Sequence, residues 1–209
     1  GRPVSPQAKP PRADALAFPT SNSGLVNLPN ALTAFRLVLV VPFGIALMSD
    51  GGADTTGRLL ATVIFIVASI TDWLDGYYAR KRHIVTTFGK IADPIADKLL
   101  TGTALIGLSV IGELPWWVTV VILVREIAVT LLRFWVINSG VIAASRGGKA
   151  KTAAQILAIV LYLLPLSGAA EVVAEVVMGI AVVLTVVTGI DYAVRAVRLR
   201  QGMTVRGVG

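Results

Sequence analysis

Cysteine is absent from the sequence, so no disulfide braces the chain, and its redox compartment is left open. Charge is scarce: Asp, Glu, Lys and Arg make up 15% of the 209 residues, against roughly 25% in soluble domains. Histidine occurs once, as His83. It sits in a basic loop, where solvation is a simpler reading than metal ligation, because nearby acids already supply hard ligands. Internal repeats, heptads and an inter-domain linker are missing as well. The net charge of +7 would suit nucleic acid, but such binders need one basic face with aromatics for stacking. Here the basic residues flank apolar runs instead.

What is abundant is apolar length. Hydrophobic residues make up 55% of the chain, and several runs approach the roughly 20 residues that span a bilayer. The pattern predicts an all-α integral membrane protein of six transmembrane helices. Residues 1–24 carry five prolines with Arg2, Lys9 and Arg12, and are expected to form a disordered basic tail. They lack the apolar region of a signal peptide. Residues 25–200 make the transmembrane domain and 201–209 a C-terminal tail.

Span 1 opens around Pro29, capped by Asn27 or Asn30, and closes at Met48. Arg36 near its start either reaches an anionic headgroup or snorkels. Span 2 starts near Leu59. Its purely apolar part stops at Ile70, too short to cross, so the helix must continue to about Tyr78 and carry Asp72 and Asp75 into the membrane. Span 3 covers about 91–111. Pro94 requires the helix to start near Asp93 or to kink there, and Asp93 and Asp97 then lie in its first turns, where backbone donors favour anions. Lys98 either partners Asp93 or points away. Span 4 covers 115–137 and carries Arg125, Glu126 and Arg133. Span 5 follows a polar loop with Arg146, Gly147 and Gly148, opens at Lys149 and ends at Pro165. Span 6, about 172–192, shows no chemistry.

Charge orients these spans. Arg58 is the sole basic residue in the loops after spans 1, 3 and 5, which also hold Asp50, Asp54, Glu113, Glu171 and Glu175. The termini and the other loops carry most of the remaining Lys and Arg, which places both termini in the cytoplasm. The Asp pairs, Arg133, Arg146, Lys149 and Lys151 then share one cytoplasm-facing polar cavity.

The chemistry concentrates between positions 72 and 97. Asp72 and Asp75 are three residues apart, Asp93 and Asp97 four. On helices each pair shares a face. Gly76 and Ala79 leave room beside the first pair, and Arg80 is placed to hold a phosphate bidentately. Four carboxylates at membrane depth call for cations. Hard oxygen ligands suit Mg²⁺ or Mn²⁺, and two such metals can clamp the attacking and leaving oxygens of a phosphoryl displacement. A cation transporter is the competing use of intramembrane acids. It would place them near the midplane on broken helices in related halves, whereas here they lie at one end and no repeat is visible.

The pattern D-x2-D-G-x2-A-R-x8-G-x3-D-x3-D is filled at every fixed position by Asp72, Asp75, Gly76, Ala79, Arg80, Gly89, Asp93 and Asp97. It resembles the signature of the CDP-alcohol phosphotransferase family. The stretch from Asn27 to Arg36, the R-E-I-x-x-T-x-L-R run from Arg125 to Arg133 and the G-K-x-K-T-x-x-Q run from Gly148 to Gln155 resemble bacterial phosphatidylglycerolphosphate synthases. The resemblance implies transfer of a phosphatidyl group from CDP-diacylglycerol to glycerol 3-phosphate with release of CMP. The alternative acceptor is inositol phosphate or phosphatidylglycerol. It also implies Mg²⁺ or Mn²⁺ held by Asp72, Asp75, Asp93 and Asp97. Chemistry alone lets any of the four act as base; the family assigns that role to Asp97. Gly76, Ala79, Arg80, Asn30 and Thr33 would bind CDP-diacylglycerol. A phosphorylated acceptor needs cations, for which Arg125, Lys149 and Lys151 are the candidates, with Arg133 in reserve. A homodimer in the cell membrane, with no nucleic-acid partner, completes the expectation.

Overall fold

Two residues set the first reversal of the chain. Asp50 has a positive φ of 47° and Gly51 one of 62°, inside a 3-10 turn at Ser49–Gly52 that ends helix α1 (Leu28–Met48). Asp54 then caps α2 (Thr55–Arg82). Its carboxylate accepts the backbone N–H groups of Thr56 and Gly57, both at 3.0 Å, satisfying donors that a helix start leaves without partners. The reversal is tight: a Cβ on Gly57 would lie 2.6 Å from the Ala46 carbonyl oxygen, so only glycine lets α2 start against α1.

The computed structural model describes residues 28–82, 87–136 and 146–202, with only the helical backbone at 28–30, 75–82, 87–94 and 146. The expected tail at 1–24, His83, all of 138–145 in the expected polar loop and most of the C-terminal tail lie outside the described residues. Four further helices follow: α3 (Thr87–Val110), α4 (Trp116–Val136), α5 (Arg146–Leu163) and α6 (Ala169–Arg200). No strand occurs among the described residues, so the chain is all-α as expected.

Boundaries differ from the sequence reading in four places. Helix α2 starts at Thr55, four residues before the expected Leu59, and runs past Tyr78 to Arg82, because the Asp54 cap starts it early. Helix α3 has begun by Thr87 and runs through Pro94, so Asp93 and Asp97 sit beyond its first turn and the helix-end argument for anions does not apply to them. A proline removes one N–H and leaves the rest of the ladder intact. Helix α5 has begun by Arg146, which moves Gly147 and Gly148 from a loop into the helix. Helix α6 starts at Ala169 and continues to Arg200, so Glu171 and Glu175 belong to the helix and not to a turn before it.

Helix α1 packs on α2 and α3, α5 on α6, α4 on α6, and α2 on α5. Their shared core is built from Phe43, Leu47, Phe65, Leu105, Leu108, Ile122, Ile159 and Leu163. The outer surface is also apolar: Val183 on α6 and Phe134 on α4 are 61% and 66% exposed. Helices at Ala31–Gly52, Thr55–Leu74 and Ala169–Arg200 are long and apolar enough to cross a membrane. Apolar faces of this extent suit lipid rather than water. Charged residues on α3, α4 and α5 lower the apolar character of these helices, and several of them meet one another inside the fold.

At the end of the bundle where α2 starts, Arg58 joins three elements. It is buried, pairs with Glu113 at 2.5 Å, and donates to the carbonyl oxygens of Tyr162, Leu163 and Leu164 at 2.7, 3.2 and 3.3 Å. Those carbonyls close α5, where helical partners run out. Arg58→Met should therefore destabilise the purified protein by about 2 kcal/mol, since one buried charge-assisted hydrogen-bond set is lost. A fall of roughly 4 to 8 °C in Tm should follow. An unchanged melting curve would show that water replaces these bonds at no cost.

Candidate active site

Helices α2 and α3 deliver the acidic signature. Positions 72 and 75 fall in α2, and 93 and 97 in α3, at helical spacing. Asp72 and Asp97 are the two acids with described side chains; Asp75, Arg80 and Asp93 lie outside them, as do the surroundings of Gly76, Ala79, Gly89 and Asn30. Asp72 and Asp97 act on each other electrostatically across the α2–α3 gap, and Asp97 also senses Lys98, Glu126 and Lys151.

Asp72 is anchored from α1. The guanidinium of Arg36 meets its Oδ1 at 2.6 Å, while the Asp72 side chain stays 45% exposed. Arg36 itself is fully buried, as is Thr33 one turn earlier. Arg36 therefore neither snorkels nor stands open to a headgroup. Burial of a guanidinium is tolerable because a carboxylate meets it.

A second cluster gathers on Glu126 of α4. Lys98 of α3 approaches Glu126 Oε2 at 3.4 Å, Arg125 approaches Oε1 at 3.0 Å, and Lys151 of α5 donates to the same Oε1. Arg125 also donates to the Thr188 hydroxyl of α6 at 2.9 Å. Its Cγ lies 3.0 Å from where a Cβ on Gly189 would stand, so α6 is not the inert span its sequence indicates. Thr188 and Gly189 carry no polar signature beyond one hydroxyl in an apolar run, which hides them from sequence reasoning. From sequence, Glu126 could be read as a structural partner of its neighbour Arg125, which the structure bears out, and Lys98 as a partner of Asp93, whereas it meets Glu126.

Of the four candidate acceptor cations, the fold draws Arg125 and Lys151 into this cluster. Lys149 and Arg133 stand exposed on α5 and α4 and make no ion pair or hydrogen bond among the described residues.

The donor set fits a hard divalent cation. Asp72 and Asp97 offer carboxylate oxygens from two helices, a cation between them would relieve their mutual repulsion, and Asp75 and Asp93 occupy the same helices at helical spacing.

The chain matches the family model described as CDP-alcohol phosphatidyltransferase over residues 26–187. It is 55% identical over 174 residues to a protein of Mycobacterium tuberculosis named "Probable phosphatidylglycerophosphate synthase", covering 83% of each chain. It is 42% identical over 181 residues to a Bacillus subtilis protein named "CDP-diacylglycerol--glycerol-3-phosphate 3-phosphatidyltransferase", covering 80% of this chain and 94% of the relative. A Haemophilus influenzae protein of the same name is 38% identical over 172 residues, covering 79% and 91%. With the family model spanning most of the chain and relatives this similar along most of their own length, the protein belongs to the CDP-alcohol phosphatidyltransferase family.

Proposed function

We propose that the chain transfers the phosphatidyl group of CDP-diacylglycerol to glycerol 3-phosphate, giving phosphatidylglycerol phosphate and CMP. The observation that carries this reading is the cluster of Lys98, Arg125 and Lys151 on Glu126, within electrostatic range of Asp97, in a chain resembling enzymes named for that reaction. Acids suited to a metal-bound pyrophosphate thus adjoin cations suited to a phosphorylated acceptor.

In this reading Asp72, Asp75, Asp93 and Asp97 would hold two divalent cations, and the chemistry these would supply is charge neutralisation at the pyrophosphate and at the leaving CMP. Asp97 takes the proton of the acceptor hydroxyl, whose oxygen forms a bond to the lipid-side phosphorus. The bond from that phosphorus to the bridging oxygen breaks, and CMP leaves with the electron pair. Arg36, held beneath Asp72, fixes the angle of that carboxylate. Arg80, Gly76, Ala79, Asn30 and Thr33 belong to the CDP-diacylglycerol side of the site. Arg125, Lys149 and Lys151, with Arg133 beyond them, belong to the acceptor side. A homodimer forms part of the same reading, on family resemblance alone.

The test is CMP release from CDP-diacylglycerol by purified protein, across an acceptor screen. Release that depends on glycerol 3-phosphate supports the reading. Release with inositol phosphate or phosphatidylglycerol, and none with glycerol 3-phosphate, replaces the acceptor and leaves the reaction class standing.

Orientation is part of the proposal: six spans with both termini and the site facing the cytoplasm. Support comes from the loop charges and from helix lengths of 21, 24 and 18 residues for α4, α3 and α5, near the roughly 20 that cross a bilayer. Cysteines placed at exposed Glu171 and Gln201, near the two ends of α6, should label from opposite sides of intact cells, Glu171→Cys from outside. Labelling of both from one side would overturn this topology.

A further inference from the structure

Glu126 is surrounded by more positive charge than it can neutralise. Lys98, Arg125 and Lys151 come from α3, α4 and α5 and all meet its carboxylate. Three cations on one anion leave an excess of two positive charges. Counting Asp97, which also senses Lys98 and Lys151, the excess is one. Such a cluster would repel itself if the carboxylate were absent, and it lies mid-helix, with Glu126 ten residues from each end of α4. Uncompensated charge there is expensive.

The polar capacity of the cluster is also incompletely used. The buried Nε of Arg125 has no hydrogen-bond partner among the described residues, and neither does Oε1 of Gln155. Gln155 is buried and stands four residues after Lys151 on α5, hence on the same helix face. A network built only to brace three helices would be expected to satisfy such atoms. The spare Nε–H of Arg125 and the surplus positive charge both point to an anion that comes and goes, and the free Oε1 of Gln155 is an acceptor open to a hydroxyl of the same ligand.

We propose that Glu126 is the resident counter-anion of the acceptor cluster. It holds Lys98, Arg125 and Lys151 together while the site is empty, and yields part of these contacts to the phosphate monoester of the incoming acceptor. The proposal rests on the acceptor reading above. Glu126 is a positioning residue: it touches the cations and not the reacting atoms. Its carboxylate competes with the phosphate for the same donors, so it lowers acceptor affinity while stabilising the empty protein. That competition also favours a dianion over weaker anions, because a singly charged ligand gains less from the displaced donors than Glu126 gives up.

Linkage makes the prediction signed. Glu126→Gln keeps the shape and removes the charge. The ligand-free variant should unfold at a lower temperature than the wild type, since the three cations then repel. Binding of a phosphate monoester relieves that repulsion, so glycerol 3-phosphate should half-saturate its thermal protection at a concentration about tenfold lower than for the wild type. Inorganic phosphate should gain affinity in parallel. Glu126→Asp, which restores the charge on a shorter stem, should fall between the two, binding phosphate more tightly than the wild type and less tightly than Glu126→Gln.

These titrations use the full chain in detergent and need no turnover. A folded Glu126→Gln protein with unchanged or weaker affinity for both glycerol 3-phosphate and inorganic phosphate would overturn the counter-anion role. If that variant does not fold, Glu126→Asp decides by the same titration. The shorter carboxylate loosens the pairs, so tighter phosphate binding supports the role and unchanged or weaker binding overturns it. A wild type protected by another phosphate monoester but not by glycerol 3-phosphate would overturn the acceptor assignment instead, and the effect of Glu126→Gln on that other ligand would still decide the counter-anion role.

Discussion

Asp97→Asn should cut phosphatidyl transfer by on the order of 10³-fold or more in protein that still folds, because several kcal/mol of transition-state charge stabilisation is at stake. The asparagine keeps the size of the side chain and loses the charge that draws a divalent cation and accepts the hydroxyl proton. Asp72→Asn should be equally inactive, with an added cost in stability. Its carboxylate is the 2.6 Å partner of Arg36, which is fully buried, and taking a counter-charge from a buried guanidinium is destabilising even when that carboxylate is half-exposed. The two variants thus separate on a melting curve while agreeing in the assay. Asp75→Asn and Asp93→Asn should lose activity as well, from their positions in the same helical stripes. EDTA should abolish wild-type turnover, and Mg²⁺ or Mn²⁺ should restore it. Full turnover in metal-free buffer would sink the metal reading.

Lys151→Gln should raise the KM for glycerol 3-phosphate by roughly 10- to 150-fold, the equivalent of about 1.5 to 3 kcal/mol for one charge-assisted contact. The KM for CDP-diacylglycerol should move far less. Lys151 is almost fully buried and donates to Glu126, so it is already aimed into the cluster. Arg125→Gln should behave in the same direction, with part of its effect passing through the lost bond to Thr188. Lys149→Gln is the informative contrast. Lys149 is exposed at the opening of α5, where a helix amino end also favours phosphate, so its loss should raise the same KM at little cost in stability. Variants that melt earlier and leave both KM values unchanged would mark the buried cluster as a brace between helices.

The helices could be read from sequence because their causes are local. Apolar runs near bilayer length and the polar turns between them each act within a few residues. The observed bounds accordingly fall close to the expected ones for α1 and α4. The ends of α3, α5 and α6 were less legible, since Pro94, Gly147 and Gly148 are tolerated inside helices whose packing is favourable. The acidic signature was likewise local, a spacing along two helices.

Partner choice was not local, and only the tertiary structure decided it. Arg58 finds Leu163 across 105 residues, Arg125 finds Thr188 across 63, and Lys98 finds Glu126 across 28. No periodicity encodes such meetings, because they depend on which helix faces pack together. Even the adjacent pair Arg125 and Glu126 misleads on spacing. Neighbouring side chains leave a helix in different directions, yet a guanidinium on a long stem bends back to the carboxylate at 3.0 Å. The sequence by itself determined that this is an all-helical membrane chain carrying the signature of its family. The fold determined which charges neutralise one another, because in a low-dielectric interior every buried charge must find its partner wherever the packing puts it.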